Sequence, residues 1–301
     1  MKKALATALA AAVTALLSAG PGTPATAASQ YCRQTSPNSS MLFYNGRTGA
    51  AATGTLSAGH WRQKATSTLP ENYTRAAVSR DTLLLYNPHT GDGETGTFTA
   101  GTYTRAKVFA GSFKGWFDVV ASGDSVLFYD ESSGRGVTGS LKNGLYRQAR
   151  TYDDLGKGWV ITAGSCDTMV FAKGIGETDE DHRSALAYGT LRNGVYTQVG
   201  AREADGFLGD MTATKDSVLA FSATDAEFFY KVGTAVDGKV GAFRDSGTSV
   251  VWDTVDRTSD SLLFYRSDGA AATSTLSGGH YAFVGPLPGV SSDWSVIEGG
   301  V

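Results

Sequence analysis

The sequence has few residues of the types that usually carry catalysis or bind metal ions. It contains two cysteines and four histidines in 301 residues. It lacks both the Gly-x-Ser-x-Gly motif of hydrolases and the paired histidines of zinc-binding helices. The formal net charge of −3 argues against a phosphate-backbone partner, which requires a basic face. We therefore expect no catalytic residue, no cofactor, no metal site and no nucleic-acid partner.

Long apolar runs are also scarce, and the one such run lies near the N-terminus. Lys2 and Lys3 precede a charge-free segment, Ala4 to Leu17, which is too short to cross a bilayer as a mature helix. Small residues follow it, which is typical of a signal peptidase site. This arrangement predicts a signal peptide over residues 1–28, an N-terminal tail over residues 29–40, and a secreted protein without a membrane partner.

An internal repeat dominates the rest of the chain. Short apolar runs recur at intervals of 42, 43, 43, 49 and 44 residues, and they start at Met41, Leu83, Val126, Met169, Val218 and Leu262. Most copies continue with a turn rich in Asn, Asp or Gly, a Thr-Gly-x-Leu string, and a Gly turn that leads to an aromatic residue. The period is that of a four-stranded blade in a β-propeller.

Two copies deviate from the repeat. The fourth has about six extra residues near 174–183, including an acidic stretch at 177–181, and the fifth has Phe228-Phe229-Tyr230-Lys231 instead of Thr-Gly-x-Leu. The acidic stretch lacks the alternating spacing of an EF-type calcium loop, so a solvated loop is favoured over a metal site.

The two ends of the chain complement each other. A large residue stands ten positions before each of the later apolar runs and marks a fourth, innermost strand: Tyr73, Trp116, Trp159, Leu208 and Trp252. The first run has no such residue before it, whereas Trp294 and Ile297 at the C-terminus have no run after them. A ring in which the C-terminal strand completes the first blade resolves both gaps and removes open sheet edges.

The sequence thus predicts an all-β, six-bladed β-propeller of four-stranded blades over residues 41–301. A seven-bladed propeller or another β-repeat array, such as an open solenoid, is the alternative. Two thiols in an exported chain more often pair than stay free, so we expect a disulfide between Cys32 and Cys166 that holds the tail across one mouth of the channel. Two unrelated buried thiols are the alternative.

Two groups of side chains are candidates for contacts with other molecules. Third-strand aromatics could stack on sugars or on protein partners, although packing explains them equally well: Trp61, Tyr103, Tyr146, Tyr196 and Tyr281. The second group is the five glutamines of the chain, which are Gln30 and Gln34 in the tail and Gln63, Gln148 and Gln198 in third strands.

The apolar runs, the Thr-Gly-x-Leu hairpins and the Gly-aromatic strands resemble the repeats of secreted actinobacterial β-propellers, the family of the dispase autolysis-inducing proteins of streptomycetes. The resemblance covers the chain after residue 28 and specifies the repeat rather than an activity. It implies an exported, non-enzymatic protein that promotes self-digestion of a metalloprotease and is cross-linked through glutamines by a secreted transglutaminase. It also implies seven blades, whereas the repeats number six.

We therefore expect a monomeric, secreted interaction protein whose partner is an extracellular protein, either a protease or a transglutaminase. Two other functions stay open, namely a carbohydrate-binding propeller and a hydrolase that uses the channel with His182 or His89. If the protein is a transglutaminase substrate, Gln30 and Gln34 should react first, because few contacts order the backbone of a terminal tail.

Overall fold

The computed structural model describes residues 38–159, 161–174, 183–205, 209–223 and 228–301. These residues form strands and no helix, so none of them belongs to a helix that could cross a membrane. The strands form six antiparallel sheets that surround a central channel. The predicted six-bladed β-propeller is thereby confirmed.

Each sheet is one blade, and its strands follow one another from the channel outward. Blade one comprises β25 (Val296–Gly299), β1 (Ser40–Tyr44), β2 (Ala50–Ser57) and β3 (His60–Thr68). Blade two comprises β4 (Arg75–Val78), β5 (Thr82–Tyr86), β6 (Gly93–Thr99) and β7 (Thr102–Phe109). Blade three comprises β8 (Asp118–Ser122), β9 (Ser125–Asp130), β10 (Arg135–Lys142) and β11 (Leu145–Tyr152).

The second half of the chain continues the pattern. Blade four comprises β12 (Ile161–Gly164), β13 (Thr168–Gly174), β14 (Arg183–Arg192) and β15 (Val195–Asp205). Blade five comprises β16 (Asp210–Ala213), β17 (Ser217–Ala223) and β18 (Phe228–Val236), and its outer strand is split into β19 (Lys239–Val240) and β20 (Arg244–Ser249). Blade six comprises β21 (Thr254–Arg257), β22 (Ser261–Tyr265), β23 (Ala271–Ser277) and β24 (His280–Pro286).

The apolar runs open each repeat in the sequence. In the structure they are the second strands of the blades, counted from the channel outward. Every residue of β1, β5 and β22 is buried, because a strand in the middle of a blade is covered on both faces by the neighbouring blades. Burial on both faces explains why these runs are continuously apolar instead of alternating with polar residues.

The C-terminal strand completes blade one, as predicted. Strand β25 pairs antiparallel with β1, with Val296 opposite Tyr44 and Ile297 opposite Phe43. Both aliphatic side chains are buried, and the Trp294 ring lies 5.9 Å from the Phe43 ring. Hydrogen bonding therefore joins the two ends of the described chain within one sheet.

The large residues that were expected in the innermost strands lie in the turns before them. Trp116, Trp159 and Trp252 each precede the inner strand of their blade by two positions. Each indole packs instead against a phenylalanine in the second strand of its own blade. The ring centroids are 6.2 Å apart for Phe128, 6.2 Å for Phe171 and 5.9 Å for Phe264. The indoles thus cover the end of the blade core, and pairing of the short inner strand begins after them. Leu208 lies outside the described residues.

The structure also corrects the interpretation of the fifth copy. Gly233 in β18 pairs with Val218, just as Gly54 in β2 pairs with Met41. The string Val232-Gly233-Thr234-Ala235 therefore occupies the Thr-Gly-x-Leu position, and the aromatic residues before it extend the same strand. The equivalence is hidden in the sequence because valine and alanine replace threonine and leucine. The extra residues of the fourth copy, including the stretch 177–181, lie largely outside the described residues.

Pairs of Asp and Ser or Thr at the start of the second strands link neighbouring blades. The Asp81 carboxylate accepts a hydrogen bond from the Asn143 amide at 3.0 Å, and the Thr82 hydroxyl accepts one from the Gly144 amide at 2.8 Å. The φ angles of Asn143 and Gly144 are 55° and 74°, as in the tight turns of hairpins, and these turn amides point at the preceding blade. We call these contacts the inter-blade latches.

The inter-blade latches occur at all six junctions. Blades three, four, five and six use the same pair of residue types toward the next blade, and in blade one Ser40 alone binds the Gly101 amide. The Asp-Ser/Thr pairs recur at the repeat period, so they were recognisable in the sequence although their role was not anticipated. They satisfy hairpin amides that would otherwise lack a partner at the blade junction.

Candidate functional site

One mouth of the channel, at the N-terminal ends of the innermost strands, contains a recess of about 290 Å³. Arg75, Asp118 and Glu298 supply its charged groups, and Phe117 and Trp294 supply its aromatic wall. Burial raises the pKa of the Asp118 carboxyl, and the Arg75 charge opposes this effect. The Arg75 Nε donates to the Phe117 carbonyl at 2.7 Å. The recess is at the lower limit of the volumes that bind organic ligands, so it suits only a small polar group.

Three charged side chains close the channel below this recess. Arg257 Nη1 lies 3.5 Å from Glu298 Oε1, and Arg257 Nη2 donates to the Ala121 carbonyl at 3.4 Å. Ala121 belongs to blade three, which faces blade six across the ring. Asp256 Oδ1 accepts hydrogen bonds from the backbone amides of Arg257 and Gly299, at 2.5 and 3.1 Å. The Arg257 side chain therefore spans the channel and obstructs it.

Burial raises the pKa of both carboxyl groups in this cluster. It raises the pKa of Asp256 to about 6, with the Arg257 charge acting in the opposite direction. Burial, and next the charge of Asp256, raises the pKa of Glu298 well above its usual range. Two carboxyl groups thus share one guanidinium in a largely buried space, and of these groups Glu298 alone also lines the recess.

The channel cluster was not anticipated, although the repeat contains a signal for it. The equivalent inner positions are Ala77 and Val78 in blade two and Ala163 and Gly164 in blade four. A buried Asp-Arg pair at positions that are small or apolar in blades two, three and four is a departure that the repeat pattern itself contains. Because only the closed ring brings Glu298 next to Arg257, the partnership itself required the structure.

Of the two histidines of the hydrolase alternative, one lies in the described part of the chain. His89 is exposed and packs edge-to-face on Phe117, with ring centroids 5.3 Å apart, and His182 lies outside the described residues. Within the described ranges, no group of three or more His, Cys, Asp or Glu is placed to hold a metal ion.

The aromatic residues assigned to the third strand of each sequence repeat lie in the outermost strand of each blade, and their rings pack against the blade cores. Trp61 lies 5.0 Å from Phe43, and Tyr196 is buried and lies 5.5 Å from Phe171. Of the other three, Tyr146 contacts Phe128, Tyr281 contacts Phe264, and the Tyr103 hydroxyl donates to Glu94. The rings thus contact side chains of the blade cores, which favours a packing role over stacking on sugars.

Three of the five glutamines that were candidates for cross-linking are exposed on the outermost strands of their blades. Gln63, Gln148 and Gln198 lie in β3, β11 and β15, and each directly precedes a bulged residue, where the pairing register shifts. Gln30 and Gln34 lie outside the described residues. The exposed glutamines share one repeat position on the rim of the propeller, two residues after the aromatic residue of the same strand.

Cys166 lies at the other mouth of the channel, where the described chain also begins. It is buried in the turn after β12, and its amide donates to the Lys215 carbonyl at 3.3 Å. The Lys215 amide donates to the Ser259 carbonyl at 3.0 Å, and the Ser259 amide donates to the Asn38 carbonyl at 3.2 Å. A chain of backbone bonds thus connects Asn38 with Cys166 around this mouth. Cys32 lies outside the described residues, so its pairing with Cys166 stays a prediction.

The outermost strands of the blades form exposed sheet edges, and blade six differs from the rest. The edges of the other five blades each carry at least one Lys or Arg, in β3, β7, β11, β15, β19 and β20. Strand β24 carries no Lys, Arg, Asp or Glu. Instead it exposes Phe283 and Val284, whose relative accessibilities are 61% and 42%.

Comparison with known proteins supports the fold only. No protein-family model matches the sequence, and no curated protein matches it. Among solved structures, a protein of unknown function from Desulfotomaculum acetoxidans is 9% identical, with 86% of each chain covered and a TM-score of 0.51. Candidate 6-phosphogluconolactonases from Bacteroides fragilis and Bacteroides uniformis are 10% and 12% identical, cover 86% of this chain and 96% and 98% of their own, and have TM-scores of 0.47 and 0.48. Similarity at this level shows a β-propeller and no activity.

Proposed function

We propose that the chain is a secreted, non-enzymatic interaction protein that binds an extended, uncharged segment of a partner protein along β24. The uncharged edge of blade six carries this proposal. Charged side chains on an edge strand discourage pairing with a further strand, and their absence from β24 leaves its backbone groups available for strand addition. The exposed Phe283 side chain supplies an apolar anchor on the same strand.

The length of β24 limits the size of the segment that can pair with it. Strand β24 covers His280–Pro286, and Pro286 limits pairing because it has no amide hydrogen. Six paired residues extend about 20 Å, so two such strands bury much less than the roughly 1,600 Å² of a standard stable interface. This edge therefore suits a single extended segment of another protein rather than a second copy of this chain.

The chemistry of the edge defines the composition of that segment. A charged residue placed opposite Phe283 or Val284 would lose hydration without gaining a counter-ion. We therefore expect an apolar or neutral segment, such as a strand or loop exposed on an extracellular enzyme. The resemblance to secreted actinobacterial propellers supports a secreted metalloprotease as this partner, with the protein promoting its self-digestion.

The loss of intact dispase over time, with and without this protein, tests the proposal. We expect the wild-type chain to accelerate self-digestion and Phe283→Lys to reduce its potency by about tenfold or more, as for a central interface residue. Val108→Lys is the matched control, because Val108 is 62% exposed on the edge strand β7, next to Lys107. It should retain wild-type potency.

Each outcome of this experiment is informative. No effect of the wild-type chain on dispase would overturn the choice of a metalloprotease partner. Equal activity of wild type and Phe283→Lys would overturn the choice of β24. Light scattering of the wild-type chain should show a monomer, and a dimer abolished by Phe283→Lys would assign the edge to self-association.

We also propose that the chain is a transglutaminase substrate. Exposed glutamines on the rim and the two tail glutamines support this, together with the resemblance. Labelling with an amine donor followed by peptide mapping should modify Gln30 and Gln34 first, because strand pairing restrains Gln63, Gln148 and Gln198. Labelling confined to the three rim glutamines would contradict this order, and no labelling would remove the proposal.

A further inference from the structure

Six basic side chains lie on the outer strands of three consecutive blades. Strands β3, β7 and β11 contain no Asp or Glu, and all of their cations are exposed: Arg62, Lys64, Arg105, Lys107, Arg147 and Arg150. We call this set the basic arc. The whole chain has a formal net charge of −3, so the arc separates positive charge onto one part of the rim.

The basic arc extends over three adjoining blades. The hairpin of each blade lies directly on the preceding blade. A Cβ atom at Gly101 would lie 2.6 Å from the Gly54 backbone, and one at Gly144 would lie 3.2 Å from the Ala106 Cβ. Each outer strand therefore begins against the blade before it, β7 against β2 and β11 against β6, so the six cations follow one another along the rim.

Most of the cations in the arc are available to a ligand. Arg105 Nη1 lies 3.6 Å from the buried Glu94, and the other five have no carboxylate within ion-pair distance among the described residues. Lys107 lies 4.6 Å from the Phe109 ring and Arg150 lies 5.4 Å from the Tyr152 ring. Such cation–π contacts orient the side chains and leave their charge without a counter-ion.

We infer that the basic arc binds a flexible anionic polysaccharide. Guanidinium and ammonium groups form charge-assisted hydrogen bonds with carboxylate or sulfate groups, and a flexible chain can follow the convex rim. Duplex DNA is stiff over about 150 base pairs and would touch only part of such a surface. Single-stranded nucleic acids are held by aromatic stacking, whereas Trp61, Tyr103 and Tyr146 are packed into the blades.

This surface and the protein-binding edge proposed above consist of different residues and adjoin at one blade junction. The arc lies on blades one to three, and β24 lies on blade six, where Val284 contacts the blade-one hairpin at Gly59. The protein would thereby attach to an anionic matrix through one part of its rim and hold a protein segment at another. The inference does not depend on the proposed function, since the two are tested with different ligands and different variants.

Fluorescence anisotropy with labelled heparin and labelled polygalacturonate tests the inference at low and physiological salt. The test variant reverses one cation on each blade of the arc: Lys64→Glu, Lys107→Glu and Arg147→Glu. We expect an affinity loss of about tenfold or more, and a decrease of about 2 in the slope of log Kd against log salt, from three contacts at about 0.7 each.

The control variant makes the same number of charge reversals outside the arc: Arg47→Glu, Lys239→Glu and Arg244→Glu. All three residues are exposed, and this variant should change the affinity by less than about twofold. Equal losses in both variants would show a net-charge effect and overturn the inference. If the test variant fails to fold, the three corresponding glutamine substitutions replace it, with the same expected direction.

Two further probes separate the polysaccharide from other polyanions. Oligo(dT) and poly-glutamate of matched charge should bind more weakly than heparin or polygalacturonate. Tighter binding of oligo(dT) or poly-glutamate would overturn the assignment to a polysaccharide. No binding of either glycan to the wild-type chain at low salt would overturn the inference altogether.

Discussion

Removal of the C-terminal strand should disrupt the whole ring. Deletion of residues 293–301 removes β25 and its four paired positions on β1, together with the buried side chains of Val296, Ile297 and Val301. Each buried aliphatic side chain contributes about 1.5–3 kcal/mol, so the three together contribute roughly 5–9 kcal/mol. This is comparable to the entire stability of a typical domain, about 5–15 kcal/mol.

The deletion has a second cost within the channel. It removes Glu298, the carboxyl group that lies 3.5 Å from Arg257, and loss of one partner from a buried ion pair typically destabilises by about 3–5 kcal/mol. We therefore expect the truncated chain to be unfolded or to melt far below the full-length protein in circular dichroism. A truncated chain that melts within a degree or two of wild type would refute ring closure as a source of stability.

Point variants keep this prediction measurable if the truncated chain aggregates. Ile297→Ala should destabilise by about 2–5 kcal/mol, which lowers Tm by roughly 4–20 °C in a domain of this size. Ser292→Ala is the control, because Ser292 is exposed just before the closing strand, and it should change stability by less than about 0.5 kcal/mol. Equal melting of the two variants would contradict the packing argument.

Three further predictions concern the latches, the channel and the thiols. Asp81→Ala should lower the free energy of unfolding in urea by about 1–2 kcal/mol, whereas Asp153→Ala, at an exposed site, should have less than a quarter of that effect; equal effects would contradict the latch. Because burial raises the pKa of Asp256 from 3.8 to about 6, the folded state binds more protons than the unfolded state, and stability should fall as pH rises through this window. Asp256→Asn should flatten that decrease, and an unchanged slope would disprove the assignment. Intact mass after alkylation without reductant should show neither Cys32 nor Cys166 labelled, and two labels would exclude the disulfide.

The sequence alone determined the architecture, because a propeller repeats its local chemistry. Apolar runs predicted the buried second strands, and the complementary ends, with Trp294 after the last run and no equivalent before Met41, predicted ring closure. Both signals depend on residues within one repeat or on a count of repeats, so they survive without knowledge of distant contacts. Even so, strand boundaries near Trp116 and Trp252 were displaced by two positions, because ring packing decides where pairing of the inner strand begins.

The candidate surfaces were decided by the tertiary structure. Arg257 and Glu298 belong to different repeats and meet only because the inner strands of a closed ring converge. Likewise, Phe283 occupies the repeat position of Gln63, but only the structure shows that its ring is 61% exposed. Exposure in a propeller depends on the radial position of a strand and on the blade beside it, and these are long-range properties that no local pattern encodes.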